Sequence, residues 1–192
     1  MLIPPRHAEN TLENYDPADN ALALEAARQF VAGSIRNLLL CGPTGTGKTH
    51  LLYGIGRAMT RDASTAIVME RGYEKARTVP AVHPQFWTVP NLCGALRRAA
   101  WDHEHDPEPD VTTCPLLLLD DLGADRSTDF VLESLERIIN ERYTWDRPTA
   151  YTSNLDLDAL LARYGDRLLS RFAESGRIVT MQGRDRRLER GR

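Results

Sequence analysis

"GPTGTGKT", residues 42–49, fills every fixed position of the pattern G-x-x-x-x-G-K-[ST]. Glycines at this spacing let backbone N–H groups face a polyphosphate without Cβ interference, and a helix opening at the lysine adds its partial positive charge. In this reading Gly42, Pro43, Thr44, Gly45, Thr46 and Gly47 form the cradle. Lys48 reaches the β- and γ-phosphates and the Thr49 hydroxyl holds Mg²⁺. The flanks agree with it. "NLLLC" (37–41) is the continuous apolar run of a strand buried on both faces, and a helix is expected from Lys48 to about Arg61. Strand, glycine-rich turn and helix together imply a nucleoside triphosphate site.

Working outward, residues 1–18 read as an extended lead-in punctuated by Pro4, Pro5 and Pro17. Asp19 or Asn20 is expected to cap a helix to about Ala32, with Leu22, Ala23, Ala26, Ala27, Phe30 and Val31 on its apolar face. Residues 62–84 read as an insertion with one extra strand. "FWTV" (86–89) is the next strand of the sheet, and Pro90 opens a helix after it. The acidic run 102–110 is expected as a surface loop and "PLLLLDD" (115–121) as a buried strand. An amphipathic helix over 127–143 turns Leu132, Leu135, Ile138, Ile139 and Tyr143 inward. "TAYTSN" (149–154), a helix or helix pair from Asp156 to about Phe172, and "RIVTM" (177–181) complete the alternation. Strands alternating with helices predict an α/β fold, a five-stranded parallel sheet flanked by helices on both faces.

The phosphate loop is shared by kinases, GTPases and motors, so further elements decide the chemistry. "LLLLDD" ends its strand with Asp120 and Asp121, 72 residues beyond Lys48. The first acid suits the Mg²⁺ shell and the second suits a water poised for attack. The Asn-Lys-x-Asp base reader of GTPases does not occur, and tandem acids favour hydrolysis over transfer to a small acceptor. "TSN" ends the following strand with Asn154, 34 residues past Asp120, whose amide a parallel neighbour strand would bring beside the γ-phosphate. Strand-ending Asn is also a common turn former.

Further on, "DRLLSRF" (166–172) sets Arg167 and Arg171 one helical turn apart. Phosphate loop, paired acids, strand-ending Asn and this box resemble, in that order, the AAA+ ATPases and specifically the DnaC/IstB-like group. The resemblance covers nearly the whole chain: "LENYDPADN" and "ALEAARQFV" resemble the group's lead-in, followed by "GPTGTGKTHLL", "LLLLDDLG" and "YTSNLDLDAL". It implies ATP with Mg²⁺ on Thr49 and Asp120, and water held by Asp121 and Asn154. Arg171 would act in trans on the γ-phosphate of a neighbouring subunit in a head-to-tail homo-oligomer. It also implies single- or double-stranded DNA and a replicative helicase as partners, or a transposase if the chain is an IstB-like transposition helper. A nucleotide-gated binding module with negligible turnover is a third reading. The chain departs from the group in carrying Asp121 where Glu is common. The expectation is an AAA+-type core without a C-terminal helical lid, spanning 37–182, preceded by a lead-in and first helix (1–36) and followed by a basic tail (183–192).

Composition sets the outer bounds. At 192 residues, 42% hydrophobic and 27% charged, the chain has enough core for one domain. No apolar run approaches a membrane span and the N-terminus lacks a secretory pattern, so a cytoplasmic protein without a membrane partner is expected. Three cysteines make no disulfide framework. The last nine residues, "RDRRLERGR", carry a local +3, so the remainder holds about −6 of the overall −3. Such a tail suits contact with phosphates or a solvated end. Cys93, His103, His105 and Cys114 match no compact zinc-ligand spacing and read as buried thiols and solvated loop histidines. Trp87 reads as core, and Arg97, Arg98 and Trp101 as a solvated helix end rather than a base-stacking patch.

Overall fold

In a computed structural model the described residues are 4–61, 64–70, 73–79, 81–102, 105–124 and 129–185. After a 3₁₀ turn at Pro5–His7 come α1 (Ala21–Val31), β1 (Asn37–Cys41), α2 (Lys48–Met59), β2 (Ser64–Glu70), β3 (Tyr73–Val79) and β4 (Gln85–Thr88). Then follow α3 (Val89–Asp102), α4 (Glu108–Thr113), β5 (Leu117–Leu122), α5 (Asp129–Thr144), β6 (Thr149–Ser153), α6 (Leu157–Glu174) and β7 (Gly176–Thr180). Five strands form a parallel sheet in the order β4-β5-β6-β1-β7, as the alternation predicts.

Successive strand residues point to opposite faces, and this divides the core in two. Leu39, Leu117, Leu119 and Tyr151 pack with Leu92 and Leu96 of α3, Leu135, Ile138 and Ile139 of α5, and Leu168 and Phe172 of α6. Leu38, Leu40, Leu118 and Ala150 face the other way, onto Ala23, Ala26, Ala27 and Phe30 of α1 and Leu51, Leu52 and Ile55 of α2. Cys41, Cys93 and Cys114 are all buried in this packing.

The beginnings of the strands are tied by Arg142 of α5, which is 1% exposed. Its guanidinium donates to the carbonyls of Val111 (2.8 Å), Cys114 (2.9 Å) and Pro148 (2.7 Å) and to Thr149 Oγ1 (2.8 Å). Burial pulls its pKa below the usual arginine value, with Cys114 and Tyr151 opposing that loss.

Several expectations change. The insertion holds two strands: β2 and β3 pair antiparallel as a separate ribbon, with an isolated bridge between Arg61 and Val82 at its base. The apolar run "STAIVM" signals one strand, but a strand needs a partner, and the stretch after it supplies one without a strong apolar pattern. The end of the acidic stretch, from Glu108, is helical rather than loop, because Pro107 and the acids Glu108 and Asp110 suit a helix start and Val111 gives α4 a buried anchor. Asn20 precedes α1 without capping it by its side chain. The Asn20 amide is spent instead on Gln182, donating to its carbonyl and accepting its N–H, each at 2.8 Å. Leu22 is 73% exposed, since the buried stripe of α1 runs through Ala23, Leu24, Ala26, Ala27 and Phe30 and leaves it on the far side. Leu132 and Tyr143 of α5 are half-buried rather than core. The expected helix or helix pair holds, as two helical segments meeting at a break at Gly165, where φ is 76°. Asp156 caps its start, accepting the Ala159 N–H at 2.8 Å.

Candidate nucleotide site

All site features sit where the sheet's strands end, the position at which open parallel sheets bind ligands. The phosphate loop leaves β1 and α2 starts at Lys48. Two of its glycines are required by geometry. At Gly42 a Cβ would stand 2.2 Å from the Met181 carbonyl oxygen. At Gly47, φ is 98° and a Cβ would stand 2.7 Å from the Tyr15 ring. Gly47 precedes α2 without a side-chain cap, so first-turn N–H groups stay available to an anion. Lys48 is 5% exposed, and its ammonium donates to the carbonyls of Gly42 (2.8 Å) and Pro43 (2.5 Å). Thr46 braces the loop from within, donating to Pro43 O at 3.0 Å.

The Thr49 hydroxyl lies 3.1 Å from each oxygen of Asp120. This contact does not come from adjacent strands: β6 lies between β1 and β5, so the acid reaches the loop past β6. Asp120 is 5% exposed. Burial pushes its carboxyl above the usual range and the Asp121 charge adds to this, while hydrogen bonds from Thr152 and Thr49 pull the other way. A buried carboxylate beside a hydroxyl at the end of a phosphate loop is the hard-oxygen pair that suits Mg²⁺.

Opposite the acids the β5–β6 ladder slips. Leu119 pairs with Tyr151 and Leu122 with Ser153, so on β6 Asp120 and Asp121 share Thr152 as their counterpart. Asp121 adopts φ 60°, a left-handed value that Asp tolerates better than most side chains. Its carboxylate accepts Asn154 Nδ2 at 2.9 Å. Thr152 Oγ1 accepts the Asp121 backbone N–H at 3.1 Å and donates to Asp120 Oδ1.

The cleft measures about 440 Å³, and Thr44, Gly45, Gly47, Lys48, Thr49, Asp120, Asp121 and Asn154 all line it. Sequence reading missed its other wall, the lead-in residues Arg6, His7, Asn10, Asn14, Tyr15 and Asp16. The lead-in is bound to α2 and the loop: His50 Nε2 bonds Thr11 O (2.9 Å) and Asn14 Oδ1 (3.0 Å), and Tyr15 OH donates to Thr46 O (3.3 Å). His7 stacks on Tyr53 and Tyr53 on Phe86, with ring centroids 4.6 and 4.2 Å apart. Burial and the Asp120 charge push the Tyr53 phenol up to about 12. Only the density of Asn, Tyr and Asp in "ENYDPADN" hinted at a lining.

Arg171 is not among the residues of this cleft. Its guanidinium donates to Asn140 Oδ1 of α5 and lies 5.7 Å from the Tyr143 ring centroid. Arg167 is exposed. Of the residues weighed as a zinc set, Cys93 and Cys114 are core, His105 is exposed and bonded to Asp110 at 2.8 Å, and His103 lies outside the described residues. Arg184 of the tail is exposed, and 186–192 lie outside the described residues.

Sheet order and phosphate loop define an AAA+-type P-loop fold. Comparisons with known proteins find similarity to DnaC-type proteins. No family model matches it. It is 26% identical over 182 residues, 91% of its length, to the uncharacterized protein YdaV of Escherichia coli K12. It is 23% identical over 178 residues, 88% of its length, to the replicative helicase loader DnaC of the same strain. The chain spans about two thirds of the length of these relatives, 66% and 65%. A crystal structure of the DnaC helicase loader superimposes with a TM-score of 0.73 at 25% identity, covering 93% of this chain and all of that one. Among the described residues, no helix is long and apolar enough to cross a membrane.

Proposed function

We propose that this chain is a Mg²⁺-dependent ATPase that works as a DnaC-like helicase loader in DNA replication, acting on a replicative helicase and on DNA. The observation that carries the enzymatic half is the convergence of Thr49 and Asp120, 71 residues apart in sequence, at the mouth of the phosphate loop. The loader half rests on similarity to proteins that bear that name. Mg²⁺, when bound, neutralises charge on the β- and γ-phosphate oxygens. Lys48 exchanges the Gly42 and Pro43 carbonyls for phosphate oxygens, an exchange that favours a ligand with high negative charge. Thr49 and Asp120 hold the metal, the lead-in covers the nucleoside side, and Asp121 and Asn154 orient the attacking water. Arg171 completes a neighbouring subunit's site in a head-to-tail assembly, which requires it to leave Asn140 and Tyr143.

ATP turnover per chain, followed as protein concentration rises with and without single-stranded DNA, tests this. Turnover per chain that climbs with concentration, and further with DNA, is the expected result; a flat, DNA-independent rate refutes the assembly. One observation favours a second reading, a nucleotide-gated module of negligible turnover. The carboxylate of Asp121 is engaged with Asn154, the amide it would need as a partner in positioning water. ATP binding without turnover at any concentration would establish that reading instead.

A further inference from the structure

We propose that Thr152 is a positioning residue that sets both acids of the site through one hydroxyl. The proposal rests on the Mg²⁺–nucleotide reading above and deepens it.

A threonine in the middle of a buried strand is unremarkable, since its branched side chain packs well there. Valine would pack as well. What valine lacks is the hydroxyl, and here the hydroxyl is committed on both sides. Thr152 is 0% exposed. It sits opposite the slip in the β5–β6 ladder, where two residues face one. The Asp121 backbone N–H, displaced from the regular ladder by the bulge, donates to Thr152 Oγ1 at 3.1 Å. Accepting that N–H leaves the hydroxyl's one proton for Asp120 Oδ1.

Two consequences follow from one atom. The bond to Oδ1 fixes the plane of the Asp120 carboxylate, so that it meets Thr49 across the loop. The bond from the Asp121 amide holds the left-handed turn that carries the Asp121 side chain to Asn154. The metal-binding acid and the water-positioning acid are thus registered to each other through β6, the strand that also delivers Asn154. Without the hydroxyl, a buried N–H loses its partner and the buried carboxylate loses a donor, both of which favour rearrangement of the bulge.

Thr152→Val and Thr152→Ser in the full chain test this. The readout is the affinity of a fluorescent ATP analogue in EDTA and across a Mg²⁺ titration, with the thermal midpoint as a check on folding. In EDTA all three proteins are expected to bind alike within about twofold, because the phosphate loop is untouched. Thr152→Val is expected to need about tenfold more Mg²⁺ or above for half-maximal tightening, the scale on which outer partners of metal ligands act. Thr152→Ser, which keeps the hydroxyl, is expected to respond as wild type. If Thr152→Val keeps the wild-type Mg²⁺ response, or Thr152→Ser is as impaired as Thr152→Val, the role is refuted. Should the valine variant fail to fold, the serine variant decides: a wild-type Mg²⁺ response supports the hydroxyl, and a tenfold weakening overturns it. A wild-type chain whose nucleotide affinity ignores Mg²⁺ refutes the site reading itself, and this proposal with it.

Discussion

Replacing Arg142 with methionine is expected to cost more stability than almost any other single change, while leaving the nucleotide site intact. The side chain is 1% exposed and its partners are the carbonyls of Val111, Thr112, Cys114 and Pro148, the Thr149 hydroxyl and the Cys114 sulfur. Methionine fills a similar length but donates nothing, so several buried acceptors lose their donor together. Each unsatisfied buried group costs about 1–3 kcal/mol, and relaxation recovers part of the sum. A net loss of about 3–5 kcal/mol follows, comparable to breaking a buried charged pair. In a domain of this size each kcal/mol moves the thermal midpoint by about 2–4 °C, so a fall of about 10 °C is expected. Arg142→Lys, with three donors on one nitrogen, should recover part of it. Urea unfolding with and without a nucleotide analogue checks both halves: the variant's midpoint lies below wild type in both conditions, while the stabilisation by ligand is the same for the two proteins. A methionine variant within about 2 °C of wild type would refute the reasoning, because it would mean that the cage contributes nothing that water or repacking cannot replace.

Asp120→Asn should stabilise the metal- and nucleotide-free protein by about 1 kcal/mol at pH 8, because it removes a charge that burial disfavours. The sign follows from the raised carboxyl: the unfolded chain releases this proton first, so wild type loses stability as pH climbs from the ordinary carboxylate range to the raised value. The advantage of the variant should therefore be full at pH 8 and fade towards pH 4, read from thermal midpoints in EDTA, and its Mg²⁺-dependent nucleotide affinity should vanish. Gly47→Ala should weaken both stability and nucleotide binding through its φ of 98° and the Tyr15 ring 2.7 Å from the new Cβ. Adding Tyr15→Ala should relieve the contact but not the backbone strain, so equilibrium unfolding of the double variant should show recovery of only part of the loss. Arg171→Ala should leave nucleotide affinity in dilute protein unchanged and abolish the rise of turnover with concentration; equal loss of binding in monomers would exclude action in trans.

The features that the sequence by itself determined are contiguous ones. "GPTGTGKT" after "NLLLC" dictates a phosphate loop because its chemistry lies in backbone N–H groups and one lysine, all local. "LLLLDD" and "TSN" announce polar groups at the ends of buried strands because acids that follow four leucines need polar partners or a ligand there. Alternation of such runs with helical patterns gave the parallel sheet. What lay between the motifs was decided only in three dimensions. That β6 separates β1 from β5 depends on which strands pair, and no local pattern encodes a neighbour. Thr152 looks like any strand threonine until the slipped ladder places it under both acids. Arg142 reads as one more charge on an amphipathic helix until the segments leading into β5 and β6 present their carbonyls to it. The lead-in reads as a polar, proline-broken approach until His50 and the phosphate loop fix it as a wall of the cleft. In each case a polar side chain takes its role from partners about 7–40 residues away in sequence, and it is the tertiary fold that delivers them.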